Sequence, residues 1–333
     1  MTAPAFSLVP LPATAATDVP GHATGAVPEN TTRTAIVEQI ASWVDSPAMA
    51  ALLAEFVDAP RPAGSLSDRL HTLEEFSAAR WDYRKGRLER HEAAGEPFPP
   101  ESDSRIRAAA GSLGLAGRET PRGVRFDHVL VLGGGVRTMM ARADLAATLL
   151  RGNVCAASVD GLGSLRPIPE QNAIARQMGL GEVGTEGDAV DEALRHAFGA
   201  APAVDRHSGT TPAGEPWWLR SHLDVNPPVH VLAAPSTRPG QRANTADTLT
   251  GWANLVRPPA AGTRILMVTT DIFVPFQHCD AVRLLGLRYG CEVETVGFDS
   301  TVNRWVPPPS TAAVLQEVRS AIRSVQALHQ ALG

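Results

Sequence analysis

Four short segments of this 333-residue chain hold residues able to bind an anion or move a proton. The first is Gly133-Gly134-Gly135-Val136-Arg137, which follows the aliphatic run Val129-Leu130-Val131-Leu132. Glycines at the carboxyl end of a buried strand let backbone N–H groups approach a ligand closely. A helix opening there has a partly positive amino end, to which Arg137 and Arg142 add full charges. Phosphate, carboxylate or sulfate is the guest this chemistry selects. The spacing matches neither G-x-G-x-x-G nor G-x-x-x-x-G-K-[ST], so neither a dinucleotide fingerprint nor a Walker loop is present.

The second segment, Ser158-Val159-Asp160-Gly161-Leu162-Gly163, puts a hydroxyl and a carboxylate near a strand end. The third, Asn244-Thr245-Ala246-Asp247-Thr248, opens a helix. Asn244 or Thr245 suits an N-cap and Asp247 a first-turn carboxylate, so capping competes with ligand binding. The fourth, Thr269-Thr270-Asp271, precedes Gln277, His278 and Arg283. Asp271 and His278 are the candidates for proton transfer, Asp271 being the better placed. Arg283 has Asp280 as an i, i+3 partner. A dedicated metal is not expected, although Asp160, Asp247 and Asp271 would suit a hard cation if they converged.

These segments need a frame to bring them together. Strands are predicted at about Val129–Leu132, Val154–Ser158, Val229–Ala234, Ile265–Thr269 and Val293–Gly297. Helices are predicted at about Thr138–Leu150, Pro169–Met178, Ala243–Val256, Pro275–Tyr289 and Thr311–Leu328. The alternation predicts an α/β domain over 124–333, a doubly wound, mainly parallel five-stranded Rossmann-like sheet. Such sheets bind ligands outside the carboxyl ends of their strands, where the glycine turn, Pro235–Gly240 and Thr270–Asp271 are expected. An insertion at about 181–228, holding the acidic stretch Glu186–Glu192 and Trp217, Trp218, Arg220 and His222, reads as a lid.

The amino-terminal third differs. Residues 1–30, rich in Ala, Pro, Thr and Gly, predict a disordered or draped tail. From 31 to 123, Ile36, Ile40, Trp43, Leu52, Leu53, Leu66, Leu70, Leu73 and Phe76 recur at three- or four-residue spacing, which predicts a helical cap or subdomain. A mixed-charge stretch, Trp81, Tyr83, Arg84, Lys85, Arg87 and Arg90, leads to the break Glu96–Pro100.

Composition narrows the function classes. A formal charge of −5 provides no basic footprint for nucleic acid. No secretory signal or run of about 18 apolar residues appears, so no membrane role is expected. Cys155, Cys279 and Cys291 lie far apart without C-x-x-C pairing, which points to a reducing cytoplasm. Self-association stays open.

The segments together resemble the SanA/YdcF-like family over about residues 126–300. Val131-Leu132-Gly133-Gly134 with Arg142 and Ala143 looks like that family's first motif. Asn244-Thr245-Ala246-Asp247-Thr248 is similar to its Asn-Thr-x-Glu-Asn segment. Val268-Thr269-Thr270 with His278 and Arg283 looks like its late strand and helix. The resemblance implies a Rossmann-like fold and a pocket for a phosphorylated or nucleotide-like molecule. The leading expectation is an enzyme of transfer or hydrolysis. In it Gly133, Gly134, Gly135 and Arg137 hold the anion, Asn244 and Thr245 orient a polar group, and Asp271 or His278 moves the proton. A non-catalytic metabolite-sensing module is the alternative. A third reading, an S-adenosylmethionine-dependent methyltransferase, takes Asp160 as the acid after the second strand; the cofactor would then be S-adenosylmethionine in place of a nucleotide.

Overall fold

The computed structural model describes residues 29–84, 95, 97–117, 119–203, 205–238 and 240–333. The expected tail up to residue 28 lies outside the described residues, as do Lys85, Arg87, Arg90, Glu96 and Pro239. In chain order the elements are α1 (Glu29–Val44), α2 (Pro47–Leu53), α3 (Leu66–Arg80), α4 (Pro100–Ala110), β1 (Arg125–Leu132) and α5 (Val136–Arg151). Next come β2 (Cys155–Ser164), α6 (Asn172–Gln177), α7 (Glu186–Phe198), β3 (Asp205–Thr210), β4 (Pro216–His222) and β5 (Val229–Ala234). The chain ends with α8 (Thr245–Gly251), β6 (Arg264–Thr270), α9 (Val274–Ala281), α10 (Leu287–Tyr289), β7 (Glu292–Phe298) and α11 (Thr311–Leu332). Among the described residues no helix is long and apolar enough to cross a membrane.

The chain contacts sort these elements into two compact units. The helical unit takes the described residues up to Gly117 together with Asp271–Arg283 and Pro308–Gly333, and the α/β unit is Arg118–Thr270 with Leu284–Pro307.

Within the helical unit, periodicity becomes packing. Ser46 caps α2, with Pro47 at its first position, and Ser65 and Asp68 form a capping box on α3. Ile36, Ile40, Leu52, Leu53, Leu70, Leu73 and Phe76 are buried. The central element is α11, which packs on α1, α3, α4 and α9. Its Leu315, Val318, Ile322, Val325 and Leu328, spaced by three or four, are all buried.

The α/β unit is a mixed seven-stranded sheet in the order β3-β4-β5-β2-β1-β6-β7. This corrects the expected five strands. The neighbours β5, β2, β1, β6 and β7 pair in parallel close to the positions predicted, except that β2 runs on to Ser164, past its predicted end at Ser158; the two further strands come from the 181–228 insertion. There β3 and β4 form an antiparallel hairpin, and β4 pairs antiparallel with β5. The insertion therefore extends the sheet. Its outer strand, Asp205–Thr210, is largely exposed and polar, as suits a sheet edge, and so lacks the apolar alternation that marks a strand in sequence. On one face α5 and α7 pack over Val129, Val131, Val159, Val231, Leu266 and Val268. Trp252, just beyond α8, meets His128 edge-on at 5.3 Å between ring centroids.

The glycines of Asp160-Gly161-Leu162-Gly163 lie inside β2 and not after it. A Cβ on Gly161 would meet Leu194 and Val190 of α7 at 2.5 Å, and one on Gly163 would meet the Gly187 Cα at 2.7 Å. Gly187 in turn leaves room for Trp218 and Ala233. Small residues thus let α7 lie directly on β2 and β5. Gly163→Ala should destabilise the protein by about 1–3 kcal/mol, because the obstructing atoms are backbone. Urea unfolding should show a lower midpoint at unchanged slope.

Candidate functional site

The glycine turn joins β1 to α5. A Cβ on Gly133 would lie 2.6 Å from the Leu162 carbonyl oxygen and 3.2 Å from the Glu186 carboxylate, so only glycine fits. A Cβ on Gly135 would lie 2.8 Å from Gln171 Oε1, and that oxygen accepts the Val136 N–H at 2.7 Å. One amide at the head of α5 is therefore capped from within the chain. Glu186 also accepts from the Ser164 hydroxyl at 2.5 Å and faces Arg166 at 3.5 Å.

Arg142 is turned inward and is fully buried. Its Nη1 donates to the Leu132 carbonyl at 2.7 Å and to the Gly133 carbonyl, and its Nη2 donates to Thr270 Oγ1 at 3.1 Å. Strand ends leave carbonyls without ladder partners, and a guanidinium with five donors satisfies several at once. Arg142 so fastens the ends of β1 and β6, with Thr269 buried beside Thr270.

Arg137 is exposed, and its Nη1 reaches the Trp305 carbonyl at 3.4 Å. That contact reveals residues the sequence did not single out. After β7 the chain brings Arg304 and Trp305 onto α5, where Arg304 Nη2 and Trp305 Nε1 donate to Asp144 Oδ2 at 2.7 and 2.6 Å. The Arg304 guanidinium lies 4.4 Å from the Trp305 ring centroid. Asp144 and Arg137, seven residues apart, share a helix face, which is the signal that could have joined them.

Ser158 and Asp160 project from the middle of β2, which runs on to Ser164. The Ser158 hydroxyl donates to Asp160 Oδ2 at 2.7 Å, so its oxygen accepts from His128 Nδ1 at 2.8 Å. All three side chains are buried. The set is an interior polar network, and its serine proton is directed at the Asp160 carboxylate while the histidine donates to the serine oxygen, unlike the serine–histidine pair of a nucleophilic serine. His230 sits opposite Asp160 on β5 and bonds Ser221 at 3.0 Å; burial holds its imidazole below the usual range. Asp160 is thus not at the strand end, where the methyltransferase reading needs an acid.

Asn244 and Asp247 close a reciprocal capping box on α8, with Asp247 N donating to Asn244 Oδ1 at 3.1 Å and Asn244 N to Asp247 Oδ2 at 2.8 Å. Asp247 Oδ1 also accepts from the Thr237 amide at 3.2 Å and the Thr237 hydroxyl. Thr245 begins the helix, and its carbonyl accepts from Thr248. The polar groups of Asn244 and Asp247 shape the loop after β5.

Asp271, His278 and Arg283 belong to the helical unit. Asp271 is buried and accepts the Ile272 N–H at 2.7 Å. His278 is buried in α9, and Arg283 meets Asp280 at 3.3 Å. Burial raises the Asp280 carboxyl despite that neighbour. Cys279 and Cys291 are buried, and burial pushes the Cys291 thiol up to about 12, too high for a nucleophile near neutral pH. Among the described residues no three His, Cys, Asp or Glu side chains gather as a metal site requires.

Comparison with known proteins decides the family. A model of the Rv3785 N-terminal domain matches residues 27–114, the stretch holding α1 to α4. The uncharacterized protein Rv3785 of Mycobacterium tuberculosis (strain H37Rv) is 33% identical over 318 residues, covering 86% of this chain and 87% of that protein. Uncharacterized protein Mb3814 of Mycobacterium bovis matches to the same extent. The chain belongs to the Rv3785 family. No solved structure matches it.

This overturns the SanA/YdcF-like resemblance. Its three motifs are a glycine turn after a strand, a helix capping box and a Thr-Thr strand end, features many α/β sheets need for local reasons. The family match moreover covers the amino-terminal helices, which that resemblance left out.

Arg142→Met should destabilise the protein by about 2–4 kcal/mol, because it leaves buried carbonyls without a charged donor. Thermal or urea unfolding reads the loss directly.

Proposed function

We propose that the α/β unit binds a small phosphorylated or nucleotide-like anion at the carboxyl ends of its parallel strands. The observation that carries this is the company of Arg137, two residues past the glycine turn: the Trp305 carbonyl lies beside it, and the Arg304 and Trp305 side chains meet Asp144 two turns along the same face of α5. Two guanidiniums suit a phosphate and the indole suits the flat face of a base. The parallel strands support the placement. Taken in chain order as one to five, they lie 3-2-1-4-5, so the order reverses between β1 and β6, and we read this part of the sheet as doubly wound. Arg142 fastens the two strand ends at that switch point, and Gly133 lies on the rim.

The ligand is held by Arg137 and Arg304 through charge and by the glycine turn through backbone approach. Arg142, Asn244 and Asp247 act by shaping the loops. Transfer or hydrolysis of the bound ligand is the catalytic form of this proposal, and sensing of a metabolite is its non-catalytic form. The same proposal puts the protein in a reducing cytoplasm, in keeping with Cys155, Cys279 and Cys291 being free.

A thermal-shift screen of nucleotides, sugar phosphates and S-adenosylmethionine tests the proposal, since a ligand at 100 times its Kd stabilises by about 2.7 kcal/mol. Stabilisation by a nucleotide or sugar phosphate is expected, and Arg137→Ala should abolish it while leaving the unliganded Tm unchanged. Incubation with the stabilising ligand separates the two forms, as product appears only in the catalytic one. If no phosphorylated compound stabilises the protein, or the variant responds as the parent does, the proposal fails.

A further inference from the structure

The β3–β4 hairpin is fastened to α7 through His222. Its ring Nδ1 lies 2.8 Å from the Ala201 carbonyl oxygen and its Nε2 lies 2.7 Å from Asp191 Oδ1. The carbonyl can only accept, and so can Asp191 in the ionised form that the Arg220 guanidinium on its other oxygen favours. A neutral imidazole has one N–H, so either tautomer would leave a lone pair facing an acceptor, and only the imidazolium satisfies both contacts. The ring is enclosed, with its side chain fully buried, and His222 faces Val229 where the hairpin joins β5. Arg220, two residues earlier on the same strand face, donates to Asp191 Oδ2 at 2.9 Å and to Asp188 Oδ1 at 3.0 Å. Its guanidinium lies 3.9 Å from the Trp218 ring centroid, and that ring packs against the close approach at Gly187.

We propose that this hairpin is a proton-operated latch, closed on α7 while the His222 imidazolium and the Asp191 carboxylate coexist and released from α7 when either charge is lost. The charged groups around the pair come from every neighbouring element. They are Asp188, Asp191 and Arg195 of α7, Arg220 of β4 and Asp224 of the following turn. Asp205 of β3 and His230 of β5 flank Ser221 instead.

Burial alone would lower the His222 imidazole, but hydrogen bonds to Asp191 and Ala201 outweigh it and hold the ring above its ordinary value. For Asp191 burial works upward, and hydrogen bonds from His222 and Arg220 outweigh it and hold the carboxyl low. The signs bracket a window. The raised imidazole contributes stability that is complete below the ordinary histidine value and is lost as pH rises through its folded value. The depressed carboxyl contributes stability that is complete above the ordinary aspartate value and is lost as pH falls through its folded value.

The test is a titration of the full chain, following the His222 ring nitrogens by NMR and hydrogen exchange of the amides in β3, β4 and 199–203. Both ring nitrogens should carry protons at neutral pH. Above the ordinary imidazole value, hairpin protection corrected for intrinsic exchange should fall by about tenfold per pH unit until the ring titrates. Asp191→Asn should drop the ring's titration below that of a free histidine, because burial then outweighs the one hydrogen bond left to the Ala201 carbonyl. His222→Gln should flatten the pH profile of the hairpin. A singly protonated His222 at neutral pH overturns the latch, and so does the same profile in parent and His222→Gln. If a variant does not fold, the parent titration alone decides. None of these outcomes depends on whether the α/β unit binds a phosphorylated ligand.

Discussion

The α/β unit is organised around a single buried guanidinium. Parallel strands end in carbonyls that no ladder partner serves, and the paired neighbours β1 and β6 bring two such ends side by side. Arg142 spans them from inside α5, taking two carbonyls of the β1 end and the hydroxyl of Thr270. Burying a charge is costly, and the cost is met here by several hydrogen bonds to one group. With Arg142 facing inward, the guanidiniums exposed along α5 are those of Arg137 and of Arg304, which arrives from the far end of the sheet.

Close packing imposes the second constraint. Gly161, Gly163 and Gly187 let α7 lie on β2 and β5, and Gly133 fits under the Leu162 carbonyl. In sequence each of these glycines resembles part of a ligand loop. In the folded chain they are places where a Cβ would collide, so their glycine identity reports packing as much as recognition. The same holds for Asn244 and Asp247, whose spacing satisfies a capping box before it satisfies any ligand.

Pairing of distant polar groups is the third theme. His128 with Ser158 and Asp160, His222 with Asp191, and Trp305 with Asp144 each join residues 30 or more positions apart, with separations of 30, 31 and 161 for His128–Ser158, His222–Asp191 and Trp305–Asp144. No local pattern announces them. A histidine within an aliphatic strand, as at His128, shows only that a polar partner is needed, because a buried polar group must be satisfied somewhere.

The sequence by itself determined what rests on local periodicity and on hydrophobic burial. The five parallel strands, the helices between them and the apolar faces of the amino-terminal helices were legible because aliphatic runs and three- or four-residue spacing follow from burial alone. The β3 strand was not legible, since an exposed edge carries no apolar alternation. The tertiary structure alone decided the grouping of Asp271, His278 and α11 with the amino-terminal helices, the inward turn of Arg142 and the meeting of Arg137 with Trp305. Which oxygen lies opposite a given donor depends on how distant segments cross, and nothing in the spacing of neighbours along the chain encodes that.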